Sequence, residues 1–73
     1  MSATLPERFG ENLRKARERS QMTQVELGRL SGVSPTAICR LEAGRREPRL
    51  RTLVALAHAL DMKASDLIRG IQP

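Results

Sequence analysis

Between Thr23 and Ala43 the chain carries two short helical segments separated by a tight turn, and the start and stop of each are written in the residues. Thr23 and Glu26 form a T-x-x-E capping box: the hydroxyl accepts from the backbone N–H three residues on, and the carboxylate reaches back. This predicts a helix over Gln24–Ser31 with Leu27 and Gly28 facing inward. Gly32 ends it, where a residue at positive φ is normally wanted. Ser34 is a good N-cap and Pro35 a good first residue for a second helix over Pro35–Ala43, which Gly44 closes. At 100° per residue, Ala37, Ile38 and Leu41 share one face of that helix, and Thr36, Cys39, Arg40 and Ala43 share the opposite one.

The remaining segments are also helical by period. A first helix over Pro6–Arg19 places Leu5, Phe9, Leu13 and Ala16 on one stripe. A fourth over Leu50–Leu60 turns Leu53, Leu56, Ala57 and Leu60 inward, and a fifth over Ala64–Ile71 has Leu67 and Ile68 as anchors, although Lys63 is a weak cap. The stretch Gly44–Arg49, GRREPR, is a charged loop. No segment alternates apolar and polar residues as a strand does. The expectation is an all-α, five-helix domain spanning the whole chain.

Composition narrows the function. The 73 residues offer a thin core, so such a chain needs tight helix packing, a staple or a partner. One cysteine and one histidine make neither a disulfide nor a structural zinc site, and the chain is expected to be cytoplasmic. No membrane span, signal peptide, cofactor motif or nucleophile–base pair is visible. The formal charge of +5 is carried mostly by arginine, whose planar fork suits phosphate and guanine. Phe9 is the only aromatic residue, which leaves no platform for stacking single-stranded bases. Two helices held at a steep angle by a tight turn can place the second in the major groove of double-stranded DNA.

The segment QMTQVELGRLSGVSPTAICRLEAGRREP resembles the Cro/repressor-type, or XRE-like, helix-turn-helix family. The shared elements are the T-Q-x-x-L opening, the S-G-V-S turn, the I-x-x-L-E-x-G end of the third helix, the R-x-P after it, and the later L-x-x-L-A-x-A-L run. The resemblance covers about Phe9–Leu67 and implies a transcriptional regulator, by preference a repressor, that binds a palindromic operator as a dimer. It implies that Gln24 meets a phosphate at the start of the second helix, and that Thr36 and Arg40 occupy base-contacting positions. Arg45 and Arg46 would hold the backbone, and Arg49 the backbone or minor groove. Ser34, Pro35 and Cys39 complete the candidate face. Arg17 and Glu42 are placed opposite each other as a partly buried ion pair. Three residues depart from the family pattern: Gly28 for the usual Ala, Asp61 for the usual Gly, and Pro35 where a polar reading side chain can stand.

Blander readings stand beside these. Arg40 and the GRREPR arginines also fit a solvated surface, and Arg17 and Glu42 fit two separate surface charges. Cys39 reads better as a small surface filler than as a redox centre, and His58 as an exposed or interface residue without a metal partner. A homodimer is expected through the fourth and fifth helices and their loop, with Val54, His58, Met62 and Ile71 as leftover side chains. A different class is an antitoxin-like protein-interaction module that also binds DNA; only Gly70–Pro73 follow the fifth helix as a tail for it.

Overall fold

The computed structural model describes residues 3–72, which form α1 (Leu5–Arg19), α2 (Gln24–Ser31), α3 (Pro35–Glu42), α4 (Leu50–Ala59) and α5 (Ala64–Leu67). Among the described residues there is no strand, so the all-α expectation holds. α1 packs on α3 and α5, and α4 packs on α2 and α5. Each helix sends at least one large side chain fully into the shared core: Phe9 and Leu13, then Leu27, Ile38, Leu56 and Leu67. Burial of each contributes about 1.5–3 kcal/mol before chain entropy is counted.

The helix starts are set by side chains. α1 begins with a second capping box that the sequence reading passed over: the Thr4 N–H donates to Glu7 Oε1 at 2.8 Å, and Thr4 Oγ1 accepts from the Glu7 N–H at 3.3 Å. The box at Thr23 and Glu26 forms as expected, with distances of 2.9 and 3.0 Å. Leu5, expected on the core stripe, precedes the first turn that reaches the core and is 40% exposed.

Three helices end in one hydrogen-bond pattern. In each, the residue two past the C-cap donates to a carbonyl five residues back, and the residue before it donates three back. The pairs are Met22 to Arg17 with Gln21 to Glu18, Arg45 to Arg40 with Gly44 to Leu41, and Met62 to Ala57 with Asp61 to His58. Gln21 and Asp61 therefore stand at φ 57° and 55°, beside Gly44 at 74°. Asp61 departs from the family pattern in residue type and still takes the left-handed conformation that the turn demands.

α5 corrects the sequence reading. It spans Ala64–Leu67 and not Ala64–Ile71. Its start is held because Asp66 Oδ2 accepts from the Lys63 N–H at 3.0 Å, which offsets the poor cap. Its end is drawn off by Asn12 on α1, whose Nδ2 donates to the carbonyls of Leu67 at 2.9 Å and Arg69 at 3.1 Å. Ile68 is the C-cap and 45% exposed, so it is not an anchor; Leu67 alone is.

α1 and α3 approach so closely that Gly10 has no room for a Cβ, which would stand 2.7 Å from the Glu42 carbonyl oxygen and closer still to that of Leu41. Alanine improves helix propensity by about 1 kcal/mol, but overpacking against backbone costs about 1–3 kcal/mol. Gly10→Ala is therefore expected to lower stability in urea titration, and a stabilised variant would show that the two helices separate freely.

A second expectation concerns acid. The carboxyls of Glu7 and Glu26 are held below the usual glutamate range by hydrogen bonds from Thr4 and Thr23, and that of Asp66 below the aspartate range, first by Arg69. Groups depressed in the folded state stabilise it above their unfolded values, and that stability is lost as pH falls through the folded values. The melting temperature should fall below about pH 5. The fall should be shallower in Glu7→Gln/Glu26→Gln; an unchanged acid limb would assign it to other groups.

Candidate nucleic-acid interface

The first turn of α2 leaves donors free. The Leu27 N–H makes the first intrahelical bond, to the Thr23 carbonyl at 3.0 Å, and the Thr23 hydroxyl takes the N–H of Glu26. Among the described residues, the N–H groups of Gln24 and Val25 have no partner, as the geometry of a helix start requires. Such a terminus, at the positive end of the helix dipole, suits a phosphate.

α3 is seated on α2 by a close backbone approach. A Cβ on Gly28 would lie 2.8 Å from the Val33 carbonyl oxygen and 3.2 Å from the Pro35 ring. Gly28 and Pro35, two of the departures from the family pattern, thus face each other. Ile38 and Leu41 hold α3 to the core, while Pro35, Thr36, Cys39, Arg40 and Ala43 are exposed on its other faces. Ser34 is the N-cap and its hydroxyl accepts from the Ala37 N–H at 3.1 Å.

Arg45 and Arg46 follow the turn after α3, and Arg49 is the N-cap of α4 without a side-chain cap bond; all three are exposed. Among the described residues no carboxylate pairs with Arg40, Arg45, Arg46 or Arg49, whereas Arg14, Lys15 and Arg69 are paired along their own segments. Arg8, Arg19, Arg29 and Arg51 are equally unpaired, so lack of a partner marks availability and does not by itself single out a face.

Arg17 and Glu42 meet as the resemblance implied. Arg17 Nε donates to Glu42 Oε2 at 2.7 Å and Nη2 to Oε1 at 3.0 Å, with side chains 13% and 6% exposed. The Glu42 carboxylate raises the Arg17 pKa above the usual arginine value, against the opposing effect of burial. Two further bonds were invisible in the sequence: Arg17 Nη1 donates to the Met22 carbonyl at 2.8 Å, and Gln24 Nε2 donates to Glu42 Oε1 at 3.1 Å. No local pattern signals a contact between residues 18 positions apart; the packing of α2 on α3 creates it.

The residues named for a dimer divide. Val54 and His58 are exposed on α4, whereas Met62 and Ile71 are half-buried against the core of their own chain. Leu50, overlooked in the sequence, is 76% exposed and continues the row of Val54 and His58. Among the described residues no group of three or more His, Cys, Asp or Glu side chains is arranged to hold a metal.

The helix-turn-helix family model HTH_3 matches residues 13–67, and the chain belongs to that family. It is similar to YqaE, an HTH-type transcriptional regulator of Bacillus subtilis, with 34% identity over 85% of this chain and 53% of YqaE. It is also similar in structure to the restriction-modification controller protein C.AhdI of Aeromonas hydrophila, at 32% identity and TM-score 0.83, covering 85% of this chain and 94% of that one. The P22 c2 repressor, solved with a synthetic operator, superposes at TM-score 0.78 and 35% identity over 85% of this chain and 94% of that one. The chain spans between about three tenths and about half of the length of the first curated relatives it matches.

Gly28→Ala tests the seating of α3. A Cβ there meets backbone, so the cost of displacement, about 1–3 kcal/mol, exceeds the gain in helix propensity of about 1 kcal/mol. The expected outcome is a lower melting temperature; a rise would mean that Val33 and Pro35 yield without cost.

Proposed function

We infer that this chain is a sequence-specific binder of double-stranded DNA that regulates transcription, by preference as a repressor. The observation that carries this reading is the outward face of α3, where Thr36 and Arg40 stand exposed, preceded in the chain by the free N-terminus of α2 and followed by the exposed, unpaired Arg45 and Arg46. α3 lies in the major groove. Arg40, the long polar side chain of that face, donates its fork to guanine O6 and N7, and Thr36 and the Pro35 ring contact a neighbouring base pair. Gln24 and the first amides of α2 hold one phosphate, Arg45 and Arg46 hold others, and Arg49 follows the backbone or the minor groove. Ser34 and Cys39 line the same approach. The likeness to a repressor solved on its operator supports the docking mode and repression.

The protein acts as a homodimer on a palindromic site whose halves lie about one helical turn, roughly 34–36 Å, apart. Val54 and His58, extended by Leu50, form the freer part of the expected contact, with Met62 and Ile71 at its edge.

Selection from random duplexes, followed by binding titrations on the selected site, tests the reading. Arg40→Ala should relax preference at one base pair per half-site, worth about 1–3 kcal/mol, and weaken random DNA only slightly. Arg45→Ala or Arg46→Ala should weaken all sequences alike and flatten the salt dependence by about one unit of slope. Equal loss on selected and random DNA for Arg40→Ala would place Arg40 on phosphate. An absence of any selected sequence would overturn sequence-specific binding.

A further inference from the structure

The Arg17–Glu42 pair does more than join α1 to α3. Glu42 Oε1 accepts from Arg17 Nη2 at 3.0 Å and from Gln24 Nε2 at 3.1 Å. The Glu42 side chain is only 6% exposed and cannot follow Gln24 outward. A glutamine amide carries two N–H donors. One is fixed on Glu42, which sets the plane of the amide and the direction of the other. That second N–H belongs to the same residue as the first free backbone amide of α2.

We propose that Glu42 is a positioning residue for DNA binding: it orients the Gln24 amide toward the phosphate at the start of α2, and Arg17 makes this possible by neutralising Glu42. The proposal rests on the DNA-binding reading and adds a function for the ion pair. An unpaired carboxylate close to a phosphate repels it, so a glutamate could not serve here alone. With Arg17 bound through two nitrogens, the pair is neutral overall and still presents an acceptor oxygen to Gln24. The Arg17 bond to the Met22 carbonyl fixes the chain just ahead of Thr23 and Gln24, so the same guanidinium holds both the orienting group and the backbone leading to α2. A free glutamine at this position would have to give up side-chain freedom on binding, a cost that the Glu42 bond removes beforehand.

The sign of a single substitution at Glu42 is ambiguous, because loss of a negative charge also favours DNA at long range. A double-mutant cycle cancels that effect. Binding of the selected duplex is measured for the wild type, Gln24→Ala, Arg17→Met/Glu42→Leu, which removes both charges and the acceptor and nearly keeps the volume, and the combined variant, with thermal unfolding recorded in parallel. Gln24→Ala should weaken binding about tenfold in the wild-type background, the loss of one hydrogen bond to a charged group, and less than about twofold beside Arg17→Met/Glu42→Leu. Gln24→Ala should also lower the melting temperature by less in that background, because the Gln24–Glu42 bond is already lost there. An equal loss of affinity in both backgrounds, or no loss in the wild type, overturns the positioning role. If Arg17→Met/Glu42→Leu does not fold, the cycle is run with Arg17→Met/Glu42→Met, which likewise leaves neither charge nor acceptor oxygen. Failure of the DNA-binding reading is distinguishable, because the wild type would then prefer no duplex at all.

Discussion

Three segments of the chain converge on Arg17 and Glu42. The guanidinium sits near the end of α1, the carboxylate ends α3, and the bonds to Met22 and Gln24 reach the turn and the first residue of α2. Both charged side chains are largely removed from water. Burial of two ions is costly, and their attraction repays it only when the remaining donors and acceptors are satisfied. Here Glu42 accepts three bonds and Arg17 donates three, so the condition is met. The pair consequently acts as a geometric clamp. Apolar contacts can hold α1 against α3 at several angles, whereas a bidentate bond between planar groups holds at one.

The clamp works because the helices are already close. Gly10 lets α1 approach the carbonyls of Leu41 and Glu42, and Gly28 lets α2 approach Val33 and the Pro35 ring. The core proper is small, with a handful of fully buried side chains drawn from all five helices. In so small a core the backbone approaches and the polar network share the work of fixing α3, the helix whose outer face carries the candidate reading residues.

Where the chemistry is local, the sequence was legible. The T-x-x-E box at Thr23, Gly32, the Ser34–Pro35 start and Gly44 delimit α2 and α3 to within a residue of their observed ends. The outward face of α3 followed from helical period alone. The failures lie where a distant group intervenes. α5 stops at Leu67 because Asn12, on another helix, bonds the carbonyls of Leu67 and Arg69, and Ile68 then turns to solvent. The role of Gly10 and the Gln24–Glu42 bond depend on tertiary approach in the same way. The capping box at Thr4 and Glu7 is different: its signal was present in T-x-x-E spacing, and the proline at position 6 drew the start of the helix one residue late. Gly28, a poor residue by propensity, is explained by space.

Urea unfolding of an Arg17/Glu42 variant set measures the clamp most directly. Glu42→Ala leaves Arg17 charged and largely buried, which costs about 3–5 kcal/mol, reduced by the water that reaches it. Arg17→Met/Glu42→Leu leaves no stranded charge, and should be more stable than Glu42→Ala and close to the wild type. A double variant as unstable as Glu42→Ala would show that the pair supplies bulk stability in place of orientation. Glu42→Ala unfolding at the wild-type urea concentration would show that no clamp exists.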